Sequence, residues 1–396
     1  MTKQIIHIVN YSPMSSFIHI ISYLILVFSF YFFCKEIIKN KYKKSSWLIA
    51  LIPIIAYSII EGSRYGRGVD YASYAYRFTH LNRSEEPQIL FYGLMKLLKD
   101  LGFNTVGAFI TYSLLFITGT FFFIKNTYKR DEAQWMYFFA FLAMTLKAES
   151  MIRQYIAQPF IFASIPFIFN KKWIHATCLI LVAINIHTGV LVQVPLIICS
   201  YFLIKKTFSW KIWTIILFTV YYILPNGILV SAFTNILSIA HLDGILASEH
   251  IMHYIEDSDR WLGEDSVLSA AKQSFTTKTL QFLFETCVIY SSYKLLAKYP
   301  NQKILFAFNI SVIGFILCRS FHGYEIFTRM MDQMYIYWFI PVGYSFYALY
   351  KEKIALKKIK HIIKIKIAVL LLCTYQAMFW SRFIFLNHEA KFFWDK

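Results

Sequence analysis

Charge is what this sequence has least of. Only 16% of its 396 residues are Asp, Glu, Lys or Arg, where a soluble domain carries about 25%. The shortage falls mainly on the acids: 22 Asp and Glu stand against 40 Lys and Arg, a formal net charge of +18. Alternating apolar and polar residues are also missing, which argues against a membrane β-barrel. Six cysteines (Cys34, Cys178, Cys199, Cys287, Cys318 and Cys373) fall in or beside apolar runs without metal-ligand spacing, and read as small core residues. No internal repeat or low-complexity tract is evident. The start has no basic region followed by a cleavage site, so the first apolar run is expected to be retained.

Apolar residues make up 58% of the chain and aromatic ones 19%, with mean hydropathy +0.50. They come as continuous runs, each near the length of about 20 residues that a helix needs to cross hydrocarbon. Only helices or closed barrels satisfy their backbone in lipid. The expected fold is therefore an all-α polytopic membrane protein, one integral domain over residues 1–396. About twelve spans are expected: 15–34, 46–60, 104–124, 134–148, 152–169, 174–187, 189–204, 212–233, 279–297, 304–319, 332–350 and 367–386.

Lysine-rich segments such as KEIIKNKYKK (35–44) and KEKIALKKIKHIIKIK (351–366) are assigned to the cytoplasm. That accounts for the basic balance without a nucleic-acid partner. Both termini then face outward, as do segment 61–103, with a helix lying in the interface, and segment 234–278, capping a cavity. Arginine sorts differently from lysine. Of 30 lysines 22 lie in the cytoplasmic set, whereas every arginine except Arg130 lies outside or just within the outer boundary. The rule that sets orientation treats the two alike, so it does not produce this split. Guanidinium groups suit bidentate phosphate binding where water is scarce, although some outer arginines are accounted for by anchoring at headgroups.

Four stretches carry polar groups where they are expensive. EGSRYGRGVDYASYAY joins Arg64, Arg67 and Asp70 to three glycines and the tyrosines Tyr71 and Tyr74; glycines let backbone amides turn toward an anion. The plainer reading is a loop with an internal Arg–Asp pair. ESMIRQYIAQP places Arg153, Gln154 and Gln158 at the head of an apolar run, Gln154 and Gln158 on one face. There the plainer reading pairs Arg153 with Glu149. NIHTGVLV holds His187, which alone reads more simply as a hydrogen-bonded core residue. CRSFHGYEIFTRMMDQMYIYW carries Arg319 and His322, then Glu325, Arg329 and Asp332 along one helical face, with a self-neutralising triad as the alternative. All four fall on the outer side of the topology above, which favours one outward-facing pocket.

In this order and spacing, RYGRGVDYASY, PQILFYGLMKLLKDLGFN, IRQYIA and NIHTGVL resemble the EpsG family, whose members are similar to Wzy-type polymerases of O-antigen, capsule and exopolysaccharide. The likeness covers roughly residues 45–205 and, loosely, the region of Arg329. Where the family's histidine is usually followed by a small residue and serine, this chain has Thr188 and Gly189. The resemblance implies a GT-C-like glycosyltransferase of the bacterial cytoplasmic membrane, joining oligosaccharide units linked to polyprenyl pyrophosphate at the outer leaflet. It implies pyrophosphate binding by Arg64, Arg67, Arg153 and Arg329, and a base among Asp70, His187 and Glu325. Tyr71, Tyr74, Gln154, Gln158, Arg319 and Asp332 are the expected substrate contacts. No metal or other cofactor is expected; the partners are the lipid-linked oligosaccharide, membrane lipid and a chain-length regulator protein. The competing readings are a flippase or transporter and an outer-leaflet glycan ligase. A metal-dependent transferase would draw on Asp257 and Asp259, which lie in a solvated acidic run.

Overall fold

A computed structural model describes residues 13–39, 44–65, 70–86, 88–202, 206–224, 275–322, 325–355 and 391–392. In chain order the helices are α1 (Pro13–Lys39), α2 (Leu51–Gly62), α3 (Tyr71–Thr79), α4 (Ile89–Asp100), α5 (Thr105–Thr127), α6 (Arg130–Ala133), α7 (Met136–Ser150), α8 (Ile152–Phe169), α9 (Trp173–Ile186) and α10 (Gln193–Phe202). They continue as α11 (Trp210–Phe218), α12 (Phe275–Lys298), α13 (Gln302–Ser320), α14 (Glu325–Tyr335) and α15 (Phe339–Ala355). The one ladder among the described residues pairs β1 (Arg64–Tyr65) antiparallel with β2 (Lys391–Phe392). Two compact units result, one built chiefly from the described residues up to Leu191 with Phe346–Ala355, the other from Val192–Ser345.

In the first unit α5 packs against both α2 and α8, and α8 in turn against α9. Asn104 starts α5, its side chain accepting from the Gly107 amide at 2.9 Å. Two glycines let the backbones close in. A Cβ at Gly62 would stand 2.3 Å from Ile110 Cα, and one at Gly119 would stand 2.3 Å from Pro159 Cβ. Small residues at such crossings matter most in lipid, where packing takes over from the hydrophobic effect. Stacked rings fill the remaining space: Phe30 on Phe141 at 4.7 Å and Phe123 on Phe162 at 4.8 Å. In the second unit α13 packs on α10, α12 and α14. Asn301 caps α13, accepting from the amides of Lys303 and Ile304.

Proline recurs at one position. Pro53, Pro195 and Pro341 are each the third residue of an α-helix, and a 3₁₀ turn precedes each helix: Lys44–Ala50, Thr188–Val192 and Ile336–Trp338. A proline ring clashes with the carbonyl four residues back and offers it no N–H. The tighter 3₁₀ winding before the proline fits that gap. Expected span 332–350 is accordingly interrupted by the turn Ile336–Trp338. Within the expected span 212–233, α11 widens into a π turn, Thr219–Ile223, and Leu224 is extended with ψ 139° ahead of Pro225; residues 225–233 lie outside the described residues.

Three helices are long and apolar enough to cross a membrane, Ile20–Lys39, Thr105–Thr127 and Gln302–Ser320, among the described residues. Trp47–Gly62, Trp173–Ile186, Thr188–Phe202 and Trp210–Ile223 are shorter apolar helices. Expected span 367–386, most of segment 234–278 with Asp257 and Asp259, and Arg67 lie outside the described residues.

Candidate functional site

Beyond α2 the chain turns sharply and buries Arg64 to 4% exposure. Its guanidinium donates to the Glu61 carbonyl at 2.8 Å and lies 5.4 Å from the centre of the Phe109 ring. Tyr71, the first residue of α3, sets its ring 4.7 Å from the same Phe109. From there the aromatic contacts run on: Phe109 to Tyr112 at 5.7 Å, Tyr112 to Phe91 at 6.0 Å, Phe91 to Tyr74 at 5.7 Å. Arg153 ends the series, its guanidinium 6.0 Å from Phe91. Helical spacing produces this row, because Tyr71 and Tyr74, like Phe109 and Tyr112, sit at i and i+3 on one face. Five rings from three helices thus form one row, with Arg64 against Phe109, Arg153 against Phe91 and Arg77 5.7 Å from the centre of the Tyr74 ring.

Arg153 is held by groups that helical spacing does not point to. It donates to Glu86 Oε1 and to Gln88 Oε1, both at 2.5 Å, and Glu86 lies 67 residues away in sequence. The second carboxylate oxygen, Oε2, accepts from Arg77 at 3.2 Å, and Arg83 donates to the Glu86 backbone carbonyl. Glu86 is 1% exposed. One buried acid thus organises three arginines, and the set carries a surplus of positive charge.

The sequence reading missed Glu86, Gln88, Arg77 and Arg83. Arg77 lies in the last turn of α3, and the others belong to the short polar turn between α3 and α4 that carries Glu85 beside Glu86; nothing local says which acid is buried. Asp70 stands at the head of α3. It belongs to the same electrostatic neighbourhood: burial pushes the Tyr74 phenol up, Arg153 pulls it down, Asp70 raises it, Arg77 lowers it and Glu86 raises it.

The other residues singled out in the first unit lie on α8 and α9. Gln154 and Gln158 are buried in α8, Gln158 completely. Glu149 accepts a hydrogen bond from the Tyr23 hydroxyl. His187 ends α9 in extended backbone, and a Cβ at Gly189 would meet its Nε2 at 2.7 Å. Glycine at 189 is what lets the imidazole lie there.

In the second unit Arg319 is 5% exposed, its guanidinium 4.9 Å from the Tyr221 ring centre. Asp332 Oδ1 accepts from Cys318 Sγ at 3.6 Å. Glu325 begins α14, which also carries the half-buried Arg329, so the acid–base–acid face lies on a helix as its spacing indicates. Beyond α13, burial together with Arg319 and Lys278 pushes the His322 imidazole down to about 4.

A depressed histidine has a defined consequence for stability. The unfolded chain binds the extra proton below its ordinary 6.5 while the folded chain does not, so stability falls as pH drops from 6.5 toward 4. The melting temperature in detergent is expected to be lower at pH 5 than at pH 7, and His322→Gln is expected to shrink that difference. An unchanged difference in the variant would show that His322 is not the group responsible.

No group of three or more His, Cys, Asp or Glu is arranged to hold a metal ion among the described residues. Compared with known proteins, residues 47–393 match the family model described as "EpsG family". No curated protein and no solved structure matches the chain.

Proposed function

Because the chain belongs to the EpsG family, a Wzy-type polymerase family, we propose that it joins oligosaccharide repeat units carried on polyprenyl pyrophosphate at the outer leaflet of the bacterial cytoplasmic membrane. The observation that carries this reading is the cluster around Glu86. Two guanidinium groups on one buried carboxylate, with a third on the same residue's backbone carbonyl, make a cationic site, and pyrophosphate needs charge stabilisation more than a proton when it departs.

In the proposed reaction a hydroxyl of the acceptor sugar attacks the anomeric carbon of the donor chain. A new C–O bond forms, the C–O bond to pyrophosphate breaks with inversion, and the hydroxyl proton passes to a base. Arg64, Arg67, Arg153 and Arg329 are the proposed pyrophosphate ligands, and the Glu86 cluster adds Arg77 and Arg83. Asp70, His187 and Glu325 are the candidate bases, since a base must reach the attacking hydroxyl within about 3 Å. Asp70 shares its surroundings with Arg153 through Tyr74, which puts it first. Gln154, Gln158, Arg319 and Asp332 are the proposed sugar contacts. Tyr71 and Tyr74 are only 6% and 9% exposed, so their part in the proposal is to set the row of rings.

The test is complementation of a strain lacking the gene, with the surface glycan run on a gel. The wild-type chain is expected to restore a polymer ladder where the deletion leaves single units. Absence of all surface glycan in the deletion would overturn the polymerase reading in favour of a flippase or ligase. For the sidedness, Ala72→Cys in a cysteine-free background is expected to react with an impermeant maleimide on intact cells. Reaction only after lysis would put this segment in the cytoplasm and sink the outer-leaflet proposal.

A further inference from the structure

The chain comes back to Arg64 from its far end. Ser63 closes α2: its amide donates to the Ile59 carbonyl at 2.9 Å and its hydroxyl to the Ile60 carbonyl at 3.3 Å. Past Ser63 the backbone leaves the helical ladder, yet Arg64 is only 4% exposed. Buried N–H and C=O groups are nearly always paired. β2 pairs with this stretch in antiparallel register, Phe392 opposite Arg64 and Lys391 opposite Tyr65. It also touches α1, and all of these elements belong to the first unit.

Two consequences follow for the site. Backbones joined in a ladder lie on one side of a membrane, so Lys391 and Phe392 share the side of Arg64. The ladder also fixes the backbone that carries the Arg64 guanidinium, with the end of α2 before it and β2 beside it. An arginine whose backbone is already ordered loses less freedom when it meets an anion. That guanidinium has a donor left over: its Nε is buried and has no hydrogen-bond partner among the described residues. A buried donor without a partner is costly, and an oxyanion ligand removes the cost.

We propose that β2 is part of the candidate site, with Lys391 and Phe392 as positioning residues whose backbone holds Arg64 for the pyrophosphate. The pairing itself is independent of the reaction; the role given to Arg64 rests on the polymerase reading. Because β2 follows every described helix in the chain, Arg64 gains this anchor only after those helices have been made.

The pairing is tested in the full chain with its native cysteines replaced. Antiparallel partners have Cα atoms about 4.5–5.5 Å apart, within the about 4.4–6.8 Å that a disulfide bridges. Tyr65→Cys with Lys391→Cys is therefore expected to crosslink under mild oxidation, neither thiol taking a maleimide until the protein is reduced. Lys391→Cys alone is expected to react with an impermeant maleimide from the same side as Ala72→Cys. Absence of the crosslink, or labelling from opposite sides, would overturn the proposal.

The role is tested by binding of inorganic pyrophosphate to the purified chain in detergent. Lys391→Pro with Phe392→Pro removes the backbone donors of β2 and is expected to weaken binding about tenfold, the scale of one charged hydrogen bond. Lys391→Val with Phe392→Val keeps a strand and is expected to bind as wild type does. In an Arg64→Gln background the two prolines are expected to add no further loss, because they act through Arg64. A merely structural strand would give additive losses, and these, or no pyrophosphate binding by wild type, would overturn the role. If wild type restores the polymer ladder and the losses are additive, this proposal fails alone. If the binding results hold but no ladder returns, the polymerase reading fails and the anchoring of Arg64 by β2 stands.

Discussion

Glu86→Gln is expected to abolish the polymer ladder and lower the melting temperature at once, with Arg153→Lys removing the ladder at a smaller cost in stability. The carboxylate side chain is 2% exposed and its Arg153 partner 15%. Taking one partner from a buried pair leaves the other charge uncompensated, at a cost of about 3–5 kcal/mol. Glutamine keeps the shape and one acceptor but removes the charge, so Arg77 and Arg153 repel each other across it. Lysine at 153 keeps the charge but loses the fork that spans Glu86 and Gln88. The double variant Glu86→Gln with Arg153→Gln separates the two effects, because it removes both charges. It is expected to regain part of the melting temperature and none of the ladder. Additive losses of stability would show that the pair is not coupled, and a ladder in any of these variants would remove the Glu86 cluster from the site.

The second large effect is at Gly62. A methyl there would fall 2.3 Å from Ile110 Cα and 2.5 Å from Ile110 N. These are backbone atoms, so no rotamer change relieves the overlap and α2 must move off α5. Overpacking costs about 1–3 kcal/mol in ordinary cores; Gly62→Val is expected to exceed that and to leave little folded protein. Gly93 in α4 is the control. A Cβ there meets nothing within 4 Å, and helix propensity favours Gly93→Ala by about 0.5–1 kcal/mol. Detergent melting curves for Gly62→Ala, Gly62→Val and Gly93→Ala should therefore fall on opposite sides of wild type. Indistinguishable curves would refute the close crossing.

Much of this fold is legible in the sequence because hydropathy is a local property. The expected segment 152–169 coincides with α8 (Ile152–Phe169), and segment 104–124 lies within a residue of the start of α5. Features set by a single proline were harder to read. The turn at Ile336–Trp338 and the extended Leu224 both lie beside a proline inside or just after an apolar run, where hydropathy registers no change. The arginines Arg64 and Arg153 against the aromatic row are legible as types, because their positions beside apolar runs single them out. Their partners were not. Glu86 reaches Arg153 across 67 residues, and nothing about an acid in a largely exposed polar turn announces that its own side chain will be buried. Lys278 and Tyr221, the neighbours of His322 and Arg319, escaped for the same reason, each unremarkable beside its own neighbours in sequence.

The 3₁₀ turns that precede Pro53, Pro195 and Pro341 also bear on thickness. A 3₁₀ residue advances the chain about 2.0 Å and an α residue about 1.5 Å. Trp47–Gly62, wound partly as 3₁₀, therefore reaches about 26 Å where a pure α-helix would reach about 24 Å. A hydrocarbon core is about 30 Å thick, and each ångström of mismatch costs a fraction of a kcal/mol. Pro53 and Pro195 thus go with a stretched winding in two of the short apolar helices, Trp47–Gly62 and Thr188–Phe202. The same segments favour a bilayer thinned around them, so that reconstitution into short-chain lipids should suit this protein better than reconstitution into long-chain ones.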